Sequence, residues 1–468
     1  MCGLCNEVRK FTSSGNSIVD GVTYGTGWKG PITYYFTSSS NDYNYTYEAQ
    51  RNFAAATEQQ AGSALFALER SFGTAANDGF SVEGFTRVSI SSGNAETSNL
   101  RFAQSDVPAT AYAYMPGKYE QAGDMWFGRN FDYTNAQAGN YAWHSILHEI
   151  GHALGLKHGH EAQNGFAALP ADYDSLEYSV MTYRSYKGSD ISSYSYDAWS
   201  APQSYMMADI AALQKMYGAD YTTNRTDTVY SWNPGDGDTR VNGEVGIDAG
   251  GTVIFATIWD GGGSDTYDLS AYASDVTISL AAGGSSRFGS DQLASLGDGN
   301  YASGSIYNAL RYHRDNRSLI ENATGGSGAD VISGNAVGNV LQGNDGDDQL
   351  TGLFGNDRLY GGAGADLLSG GRGIDRLFGG AGDDILTGGR NIDVFHFQLG
   401  GGADTITDFT DRVDRLYIDD AGIDIAQLIA GAVQVDADVV IRIDETSSMT
   451  LAGFDLDLLD RRDFFIAA

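Results

Sequence analysis

A nine-residue repeat is the feature of this sequence that most constrains its fold. Eight frames follow one another without a gap over residues 325–396, reading GGSGADVIS, GNAVGNVLQ, GNDGDDQLT, GLFGNDRLY, GGAGADLLS, GGRGIDRLF, GGAGDDILT and GGRNIDVFH. In the pattern G-G-x-G-x-D-x-U-x, the glycines permit the positive φ of tight turns, and the apolar U side chain points into a narrow core. The repeat therefore predicts a parallel β-roll over these residues.

Carboxylates recur at a fixed spacing in the repeats. If two nonapeptides form one coil, the carboxylates fall into two rows, with Asn339 interrupting the second row. Stacked carboxylates and turn carbonyls suit Ca²⁺, which takes about six to eight oxygen ligands. The first predicted row contains Asp330, Asp348, Asp366 and Asp384, and the second contains Asp357, Asp375 and Asp393. The further predicted calcium ligands are Gly326, Gly328, Gly343, Asp345, Gly361, Ala363, Gly379 and Ala381.

Calcium should also decide whether the repeats fold. Without it the closely spaced carboxylates repel one another, and a Gly-rich segment with few large apolar residues cannot offset its chain entropy. We therefore expect folding of the repeats to be coupled to calcium binding. The alternative is a flexible acidic linker, which is disfavoured because the eight frames keep one register.

The charge balance excludes several classes of partner. The chain has 468 residues, enough for about two to four domains, with 60 acidic residues against 28 basic ones and a net charge of -32. This charge repels phosphate backbones and anionic lipids, so we expect no nucleic-acid partner and no membrane insertion. The solvated surface of a halophilic protein would also be acidic. However, the chain has 62 glycines and 6 prolines, and the excess of glycine lies mostly after Gly250, which favours cation binding.

Mixed strand and helix patterns fill the first half of the chain and indicate an α/β domain that ends near Gly218. The predicted strands are Ile32–Phe36, Thr86–Ser91, Leu100–Ala103 and Ala111–Met115, and the predicted helices are Tyr47–Phe72, Tyr141–Leu156 and Ser204–Tyr217. From Asp220 onward the pattern changes to short strand-like runs separated by Gly, Asp and Asn.

The second predicted helix carries a metal-binding motif. His148 and His152 lie one helical turn apart with Glu149 beside the first, and Gly155 can end the helix so that His158 supplies a third imidazole. Three neutral ligands leave Zn²⁺ an open position for water, whose pKa falls towards about 7. Glu149 would take the proton of this water and pass it to the leaving amine. The whole H-E-x-x-H-x-x-G-x-x-H string is much more specific than H-E-x-x-H alone.

Residues near the motif add to the predicted site. Met181, within Ser179-Val180-Met181-Thr182-Tyr183, is expected to form an apolar floor beneath the metal, with Tyr183 within reach of it. The three metal positions are filled, so His144 is expected to be a packed helix histidine or to lie behind the ligands. His160 is expected to be an exposed loop residue, the alternative being a cap or a cleft wall.

The zinc motif and methionine turn resemble those of the serralysins, the RTX-bearing branch of the metzincin endopeptidases. The repeats resemble the RTX repeats of Gram-negative proteins exported by type I secretion, and the likeness extends through residues 206–232 and 258–272 to the tail. It implies an α+β multidomain fold, in which an N-terminal metzincin-type α/β zinc protease domain precedes a C-terminal calcium-binding parallel β-roll and a closing β-sandwich segment. It also implies that Tyr183 is a mobile zinc ligand or an oxyanion stabiliser.

The resemblance implies two further sites. One is a calcium site at the start of the second domain, where Thr226 stands in place of the usual glycine. Its ligands would be the carbonyls of Asn224, Thr226, Thr228 and Gly262 and the carboxylates of Asp260 and Asp265. The other is a substrate-binding edge strand, which would pair with a peptide unless it is an ordinary strand. Its predicted residues are Ala111, Tyr112, Ala113 and Tyr114.

The two ends of the chain carry weaker signals. Cys2 and Cys5 are the only cysteines, so no disulfide framework spans the fold. A thiolate on the zinc could keep a proenzyme latent, with a flexible leader, a local disulfide or stray metal binding as alternatives. The apolar tail at residues 463–466 resembles an export signal and also reads as a last strand. Residues 1–28 are polar and Gly/Ser-rich, which indicates a loose leader. Removal of a leader ending before Trp28 is the expected activation step.

Together these patterns predict five segments. They are a leader or propeptide (1–28), a zinc metalloprotease domain (29–218), the β-rich start of the C-terminal domain (219–324), the RTX parallel β-roll (325–396) and a C-terminal β segment with the secretion signal (397–468). After His158 the family usually has proline, whereas Gly159, His160 and Glu161 follow here. We therefore expect the lower rim of the cleft to differ from that of the family.

The expected function is that of a secreted, calcium-stabilised zinc metalloendopeptidase that hydrolyses internal peptide bonds of extracellular proteins, with one catalytic zinc and several structural calcium ions. The resemblance implies protein and peptide substrates, the type I secretion apparatus and a small periplasmic protease inhibitor as partners, and an extracellular monomer from a Gram-negative bacterium. The N-terminus lacks an apolar Sec-type stretch. The alternatives are a calcium-dependent adhesion protein with a vestigial protease domain, or an RTX esterase, for which no G-x-S-x-G elbow is present.

Overall fold

A computed structural model describes residues 7–418 and 422–466 of the chain. Cys2 and Cys5 lie outside the described residues, so their predicted roles stay predictions. The chain forms two compact units, the first made of Met1–Thr228, Gly235–Gly263 and Ser290–Ser318. The second contains Val229–Pro234, Ser264–Gly289 and Leu319–Ala468. The segment 219–324 is thus divided between the units, and the predicted domain bounds remain a prediction.

A mainly parallel sheet forms the centre of the first unit. Its strands lie in the order Ile90–Ser92, Ile32–Phe36, Leu100–Ser105, Asp124–Gly128 and Ala111–Ala113, and only the last of these runs antiparallel to its neighbour. Asp124–Gly128 is buried along its whole length because it is covered on both faces. The predicted strand Ile32–Phe36 is confirmed.

Helices and smaller strand pairs complete the first unit. The helices are Ser17–Val22, Glu58–Leu68, Val82–Phe85, Tyr141–Leu154 and Met207–Tyr217, with shorter turns of 3-10 helix at Ser40–Asp42, Ala75–Phe80, Ser290–Gln292 and Tyr312–Arg314. The remaining strands are Val8–Lys10, Thr26–Trp28, Ala54–Ala55, Thr239–Val241, Glu244–Ile247, Ala256–Ile258, Ser295–Gly297, Asn300–Tyr301 and Ile306–Asn308.

The predicted helix Tyr47–Phe72 is wrong in its first part. The helix begins only at Glu58, because Thr57 and Gln60 form a capping box that starts it there. Before it, Asn52 has a φ of 56°, which a helix does not allow, and Ala54–Ala55 pairs with the strand Leu100–Ser105. Apolar spacing alone therefore extended the helix over residues that belong to a turn and a strand.

The expectation of a loose leader over residues 1–28 is wrong for residues 8–28. Val8–Lys10 pairs with Thr26–Trp28, and Asn16 caps the helix Ser17–Val22. The Asp20 carboxylate is buried and accepts hydrogen bonds from the Ser13 hydroxyl and from backbone N–H groups of the same turn. These polar residues satisfy one another inside the fold, which composition could not show.

Two long sheets form the second unit. Nine strands of one sheet follow in the order Val229–Ser231, Thr266–Asp268, Asn322–Thr324, Val340–Asp345, Arg358–Ala363, Arg376–Ala381, Val394–Phe397, Arg415–Ile418 and Phe464–Ile466. The other contains Thr277–Ser279, Val331–Ser333, Gln349–Phe354, Leu367–Arg372, Ile385–Arg390, Ala403–Ile406, Ser448–Leu451, Asp438–Arg442 and Val433–Val435. The strand Ser285–Ser286, the helix Ile425–Gly431 and 3-10 turns at Leu456–Leu458 and Arg461–Asp463 also belong to this unit.

The predicted β-roll with two nonapeptides per coil is confirmed. Each strand pairs in parallel with the strand 18 residues later, so that Leu341, Leu359 and Leu377 stand in one column. These leucines are fully buried, as are Leu350 and Leu368 of the other sheet. Past the repeats the two sheets continue with strands of the closing segment, and they turn antiparallel only at Asp438–Arg442 and Val433–Val435. The multidomain fold class predicted from the sequence is therefore correct.

Candidate active site

Three imidazoles meet at the end of the helix Tyr141–Leu154. Its first turn is capped by the Asn140 side chain, and Gly155 ends it with a φ of 109°. The His148 and His152 rings lie 4.7 Å apart between centroids, and the His158 ring lies 4.6 Å from that of His152. One nitrogen from each ring falls within 4.8 Å of the others. The spacing predicted from the motif thus brings all three side chains together.

Backbone carbonyls fix which nitrogen each ring presents. His148 Nδ1 lies 2.8 Å from the Val180 carbonyl and His152 Nδ1 lies 2.9 Å from that of Leu156. A carbonyl only accepts, so both Nδ1 atoms carry the proton and both Nε2 atoms keep a lone pair. Among the described residues, the buried His148 Nε2 has no hydrogen-bond partner. A buried imidazole nitrogen with a free lone pair can coordinate a metal ion, so the residues fit Zn²⁺.

Burial keeps these rings neutral, as metal ligation requires. It lowers the pKa of His148 well below its usual range and that of His152 to about 3. The pKa of His158 is also lowered by burial, although its side chain is 20% exposed and its Nδ1 lies 3.3 Å from the Glu161 carboxylate. Each ring can therefore offer a lone pair at neutral pH.

Glu149 is a buried carboxyl group beside the histidines. Burial raises its pKa to about 8, and a hydrogen bond from the Ala113 backbone offsets part of the rise. Its Oε2 is buried without a hydrogen-bond partner in the described part of the chain. A carboxyl group with a pKa near neutrality can both accept and donate a proton, which suits a general base that later acts as an acid.

Tyr183 contacts the histidine rings, and Met181 packs against the helix that carries two of them. The Tyr183 ring is 4.4 Å from that of His158 and 5.6 Å from that of His148. Burial raises its pKa to about 12, so its hydroxyl keeps its proton and can donate a hydrogen bond. Met181 is fully buried, and its sulfur would lie 2.5 Å from a Cβ placed on Gly151. Only glycine lets the metal-binding helix approach this floor so closely.

Asp209 supports the methionine turn, and sequence reasoning missed it. Its buried carboxylate accepts hydrogen bonds from the Ser179 hydroxyl at 2.6 Å, the Val180 N–H at 2.8 Å and the Met206 N–H at 3.1 Å. The only signal in the sequence was an acidic residue in the first turn of a predicted helix. Such a residue usually stabilises only the N-terminus of its own helix. The carboxylate therefore fixes the segment whose carbonyl holds His148.

Replacing Asp209 with alanine should destabilise the first unit by about 3 kcal/mol or more, because it leaves three buried donors without an acceptor. The thermal unfolding midpoint of the zinc- and calcium-loaded chain measures this loss. Asp248→Ala, which removes an exposed carboxylate of the same unit, is the matched control and should change little. Equal midpoints for the two variants would contradict the assigned role.

A cavity of about 720 Å³ opens beside Glu149 and His148. His144 lies in its wall with both ring nitrogens engaged, Nδ1 by the Tyr196 hydroxyl at 3.0 Å and Nε2 by the Val180 carbonyl at 3.2 Å. Burial lowers the pKa of His144 to about 4, so the ring is neutral. The aromatic residues that line the cavity are Phe131, Tyr141, Tyr183, Tyr194, Tyr196 and Trp199. The cavity can therefore take an apolar side chain next to the carboxyl group.

The expectation that His160 is an exposed loop residue is wrong. Its side chain is only 11% exposed, and its ring lies parallel to that of His158 with centroids 5.3 Å apart. It also lies 5.1 Å from the Tyr183 ring. Contacts with these two rings hold His160 beside the metal-binding histidines.

The predicted substrate strand lies at the sheet edge next to Glu149. Alternation along the strand separates its four residues. Ala111 lines the cavity and the Ala113 backbone contacts the Glu149 carboxyl group. Tyr112 and Tyr114 point the other way, and both hydroxyls donate to Glu48, at 2.6 and 2.5 Å. The alanines thus lie on the side of the cavity and Glu149, and the tyrosines support the strand from the other side.

The acidic rows stand in the second unit as the repeat predicts. Asp348 N–H donates to the Asp366 carboxylate, and Asp357 N–H donates to that of Asp375, each at 2.8 Å. The predicted ligands of the turns also align, since Asp345, Ala363 and Ala381 are paired in register. The hydrogen bonds that continue the rows come from Asp330, Asp366, Asp375, Asp384 and Asp393.

Burial disfavours the charged form of these carboxylates, and a bound cation would stabilise it. Burial raises the pKa of Asp348 and Asp357 to about 7 and that of Asp366 to about 6. Among the described residues, one oxygen of each is buried without a hydrogen-bond partner. Oxygen atoms of this kind, facing glycine-rich turns, fit Ca²⁺. Asn339 occupies its place in the second row with its N–H on Asp357, but it brings no charge.

The rows extend beyond the repeats, which the sequence did not reveal. Asp384 N–H donates to Asp404 at 3.1 Å, and Asp393 N–H donates to Asp414 at 3.0 Å. The separations are 20 and 21 residues instead of 18, so a strict nine-residue period does not find them. Asp404 and Asp414 continue the same ladder of carboxylates.

Comparison with known families identifies both parts. The sequence matches the Matrixin family over residues 28–169. It matches the RTX calcium-binding nonapeptide repeat in four copies, over residues 320–336, 324–359, 333–368 and 360–395. It is 32% identical to Serralysin G of Dickeya chrysanthemi, over 67% of this chain and 61% of that protein.

The chain is similar in sequence to serralysins. It is also 30% identical to Metallopeptidase AprA of Pseudomonas marginalis, over 69% of this chain and 64% of that protein. Serralysin of Proteus mirabilis is 34% identical over 49% of this chain and 44% of its own length. The chain thus spans less than two thirds of the length of each of these relatives.

One solved structure is similar to part of the chain. The crystal structure of the extracellular lipase LipA from Serratia marcescens aligns with 35% of this chain and 44% of its own, at 18% identity and a TM-score of 0.17. This likeness is too low to indicate a shared fold. Separately, none of the helices in the described ranges is long and apolar enough to cross a membrane.

The cofactors of this serralysin-like chain are Zn²⁺ and Ca²⁺. The Matrixin match covers His148, His152 and His158, and the RTX match covers the acidic rows. The chemistry of the donors agrees, with neutral imidazoles in one unit and stacked carboxylates in the other.

The calcium site predicted at the start of the second domain stays a prediction. Five of its residues lie in the first unit and Asp265 lies in the second. Within the first unit, the Asp260 carboxylate accepts the Gly262 N–H at 2.7 Å, and the Thr228 hydroxyl donates to the Thr226 carbonyl at 2.8 Å. The remaining predicted ligand is the Asn224 carbonyl, which accepts a longer hydrogen bond from Thr228.

Proposed function

We propose that this chain is a secreted, calcium-stabilised zinc metalloendopeptidase that cleaves internal bonds of extracellular proteins. The observation that carries the proposal is a buried carboxyl group, Glu149, next to three neutral imidazoles at the mouth of a 720 Å³ cavity. The serralysin-like relatives support the same activity. Export by a type I system, with residues 463–466 in the signal, and inhibition by a small periplasmic protein complete the proposal.

Each residue of the cleft has a separate role in peptide hydrolysis. Zinc held by the three histidines would supply a Lewis acid that lowers the pKa of water and polarises a carbonyl. Glu149 takes a proton from the attacking water and delivers it to the leaving amine nitrogen, so that the broken C–N bond ends as a carboxylic acid and an amine. The Tyr183 hydroxyl donates a hydrogen bond to the developing oxyanion.

The sheet edge would hold the peptide. Ala111–Ala113 is the last strand of the sheet and pairs on one side only, with Asp124–Gly128. An extended peptide can add to such an edge through main-chain hydrogen bonds, which would favour internal segments over chain ends. One of its side chains then enters the aromatic cavity beside Glu149.

Mapping of cleavage sites tests the proposed function. Purified chain refolded with calcium and zinc is incubated with unfolded casein, and new termini are identified by mass spectrometry. We expect internal cleavages from the earliest time points. Stepwise trimming from one end would contradict an endopeptidase, and intact casein would favour a binding protein instead.

Removing the hydroxyls beneath the edge strand should weaken peptide binding. In the double variant Tyr112→Phe, Tyr114→Phe, the Glu48 carboxylate, which is only 1% exposed, loses both donors. The strand should then shift, and KM for a peptide should rise about three- to tenfold with a smaller change in kcat, in line with about 1 kcal/mol of lost support. Tyr119→Phe, on an exposed tyrosine outside the strand, is the control. An unchanged KM in the double variant would refute the role of Glu48.

A further inference from the structure

A buried ammonium group connects two parts of the first unit next to the zinc site. Lys157 is fully buried, and its Nζ donates to the Gly21 carbonyl at 2.5 Å and to the Glu161 carbonyl at 2.6 Å. The His158 carbonyl lies 3.4 Å from the same atom. We call residues 8–28 the N-terminal segment and residues 156–161 the third-histidine loop. Lys157 therefore bonds the segment and the loop through one atom.

Further hydrogen bonds join the N-terminal segment to the loop and to the helix end before it. Lys157 N–H donates to the Val22 carbonyl at 2.8 Å, and Tyr24 N–H donates to the Gly155 carbonyl at 2.9 Å. The Trp28 indole N–H donates to the Ala153 carbonyl at 2.8 Å. These bonds cover the stretch between the second and the third zinc histidine. The N-terminal segment thus braces the chain where it turns back towards the metal.

Burying the Lys157 ammonium group costs free energy. An ammonium group taken out of water is stabilised only by full hydrogen bonding, and here its acceptors are carbonyls. The Glu161 and Asp174 carboxylates favour the charge of Lys157, but burial outweighs them and lowers its pKa to about 8. An apolar side chain would fill the space at lower cost, so the hydrogen bonds to both parts are what the lysine contributes.

We propose that Lys157 is a positioning residue that locks the N-terminal segment to the third-histidine loop and thereby holds His158 in place for zinc. The N-terminal segment is then a permanent part of the metal site and not a removable leader. This inference rests on the proposed function through the zinc site. It predicts that zinc affinity depends on a contact between residues 136 positions apart in the sequence.

A matched pair of variants separates positioning from general stability. Lys157→Met keeps the length of the side chain and removes the ammonium group. Lys215→Met is the control, because Lys215 also binds the N-terminal segment, at the Thr12 carbonyl and the Asp20 carboxylate, and does not touch the third-histidine loop. Both variants should unfold at a lower temperature than the parent chain.

Zinc affinity is measured for the calcium-loaded full chain by competition with a chromophoric chelator. We expect Lys157→Met to bind zinc about 10- to 100-fold more weakly, as for other residues that orient metal ligands, and Lys215→Met to stay within about twofold. Equal affinity in Lys157→Met and the parent would overturn the inference, as would equal losses in both variants. A parent chain that binds no zinc would overturn the proposed function as well.

Hydrogen exchange on the unaltered chain keeps the inference testable if Lys157→Met fails to fold. Linkage requires that zinc stabilise the brace as much as the brace stabilises zinc. Removal of zinc should therefore speed exchange of the Lys157 and Tyr24 amides, which join the N-terminal segment to the stretch between His152 and His158. The Lys29 amide, which donates to the Glu7 carbonyl at 2.8 Å at the other end of the strand pair, is the reference. Unchanged exchange at Lys157 and Tyr24 would overturn the inference.

Discussion

Replacing Glu149 with glutamine should lower kcat by about 10²- to 10⁴-fold, the usual contribution of a positioned general base, and leave zinc bound. The amide has the same shape as the carboxyl group but can neither accept the proton of water nor deliver one to the amine. His148 and His152 keep their hydrogen bonds to the Val180 and Leu156 carbonyls, and His158 keeps its contact with the Glu161 carboxylate. The loss should therefore fall on turnover and not on metal binding.

Steady-state hydrolysis of an internally quenched peptide and zinc analysis of the same samples check this result. Glu96→Gln, which changes an exposed glutamate by the same chemistry, is the control and should behave like the parent chain. A Glu149→Gln variant that keeps full turnover would refute the assigned base. A variant that loses zinc would show that Glu149 acts on the site and not on the proton.

Removal of calcium should unfold the acidic rows of the second unit. Each site filled at about 1,000 times its Kd stabilises the folded state by about 4 kcal/mol, and several sites lie along one narrow core. Without the cations, buried carboxylates such as Asp348 and Asp357 must either take up protons or repel one another. A Gly-rich roll with one buried leucine per strand has little else to hold it.

Far-UV circular dichroism and hydrodynamic radius, followed during addition of a calcium chelator, measure this transition. We expect a loss of β signal and an expanded chain, both reversed by calcium. Magnesium is the control and should not restore the fold, because it demands a tight octahedral shell and gives up its waters reluctantly. A spectrum and radius that ignore the chelator would refute calcium-coupled folding.

The sequence predicted those parts of the molecule in which local spacing fixes geometry. His148 and His152 share a helix face at a separation of four residues, and Gly155 permits the turn that returns His158. The nine-residue period fixes the register of the roll because it repeats without interruption. Such features need no knowledge of distant partners.

Other features depend on partners far away in the chain, and no local pattern reports them. Asp209 acts on a turn about 30 residues earlier, and Lys157 acts on Gly21. The polar composition of residues 8–28 suggested a loose leader, although its carboxylate and hydroxyls are satisfied within the fold. The nine-residue period did not predict Asp414, because the spacing within its row changes at the end of the repeats.

The most direct test of the account is a zinc titration of the metal-free chain, in calcium, with peptide cleavage followed in the same tube. We predict that activity rises linearly to about one zinc per chain, stays level beyond it and is abolished by phenanthroline. Stoichiometric zinc binding without cleavage, or cleavage that persists after the zinc is removed, would contradict the proposal that this site hydrolyses peptide bonds.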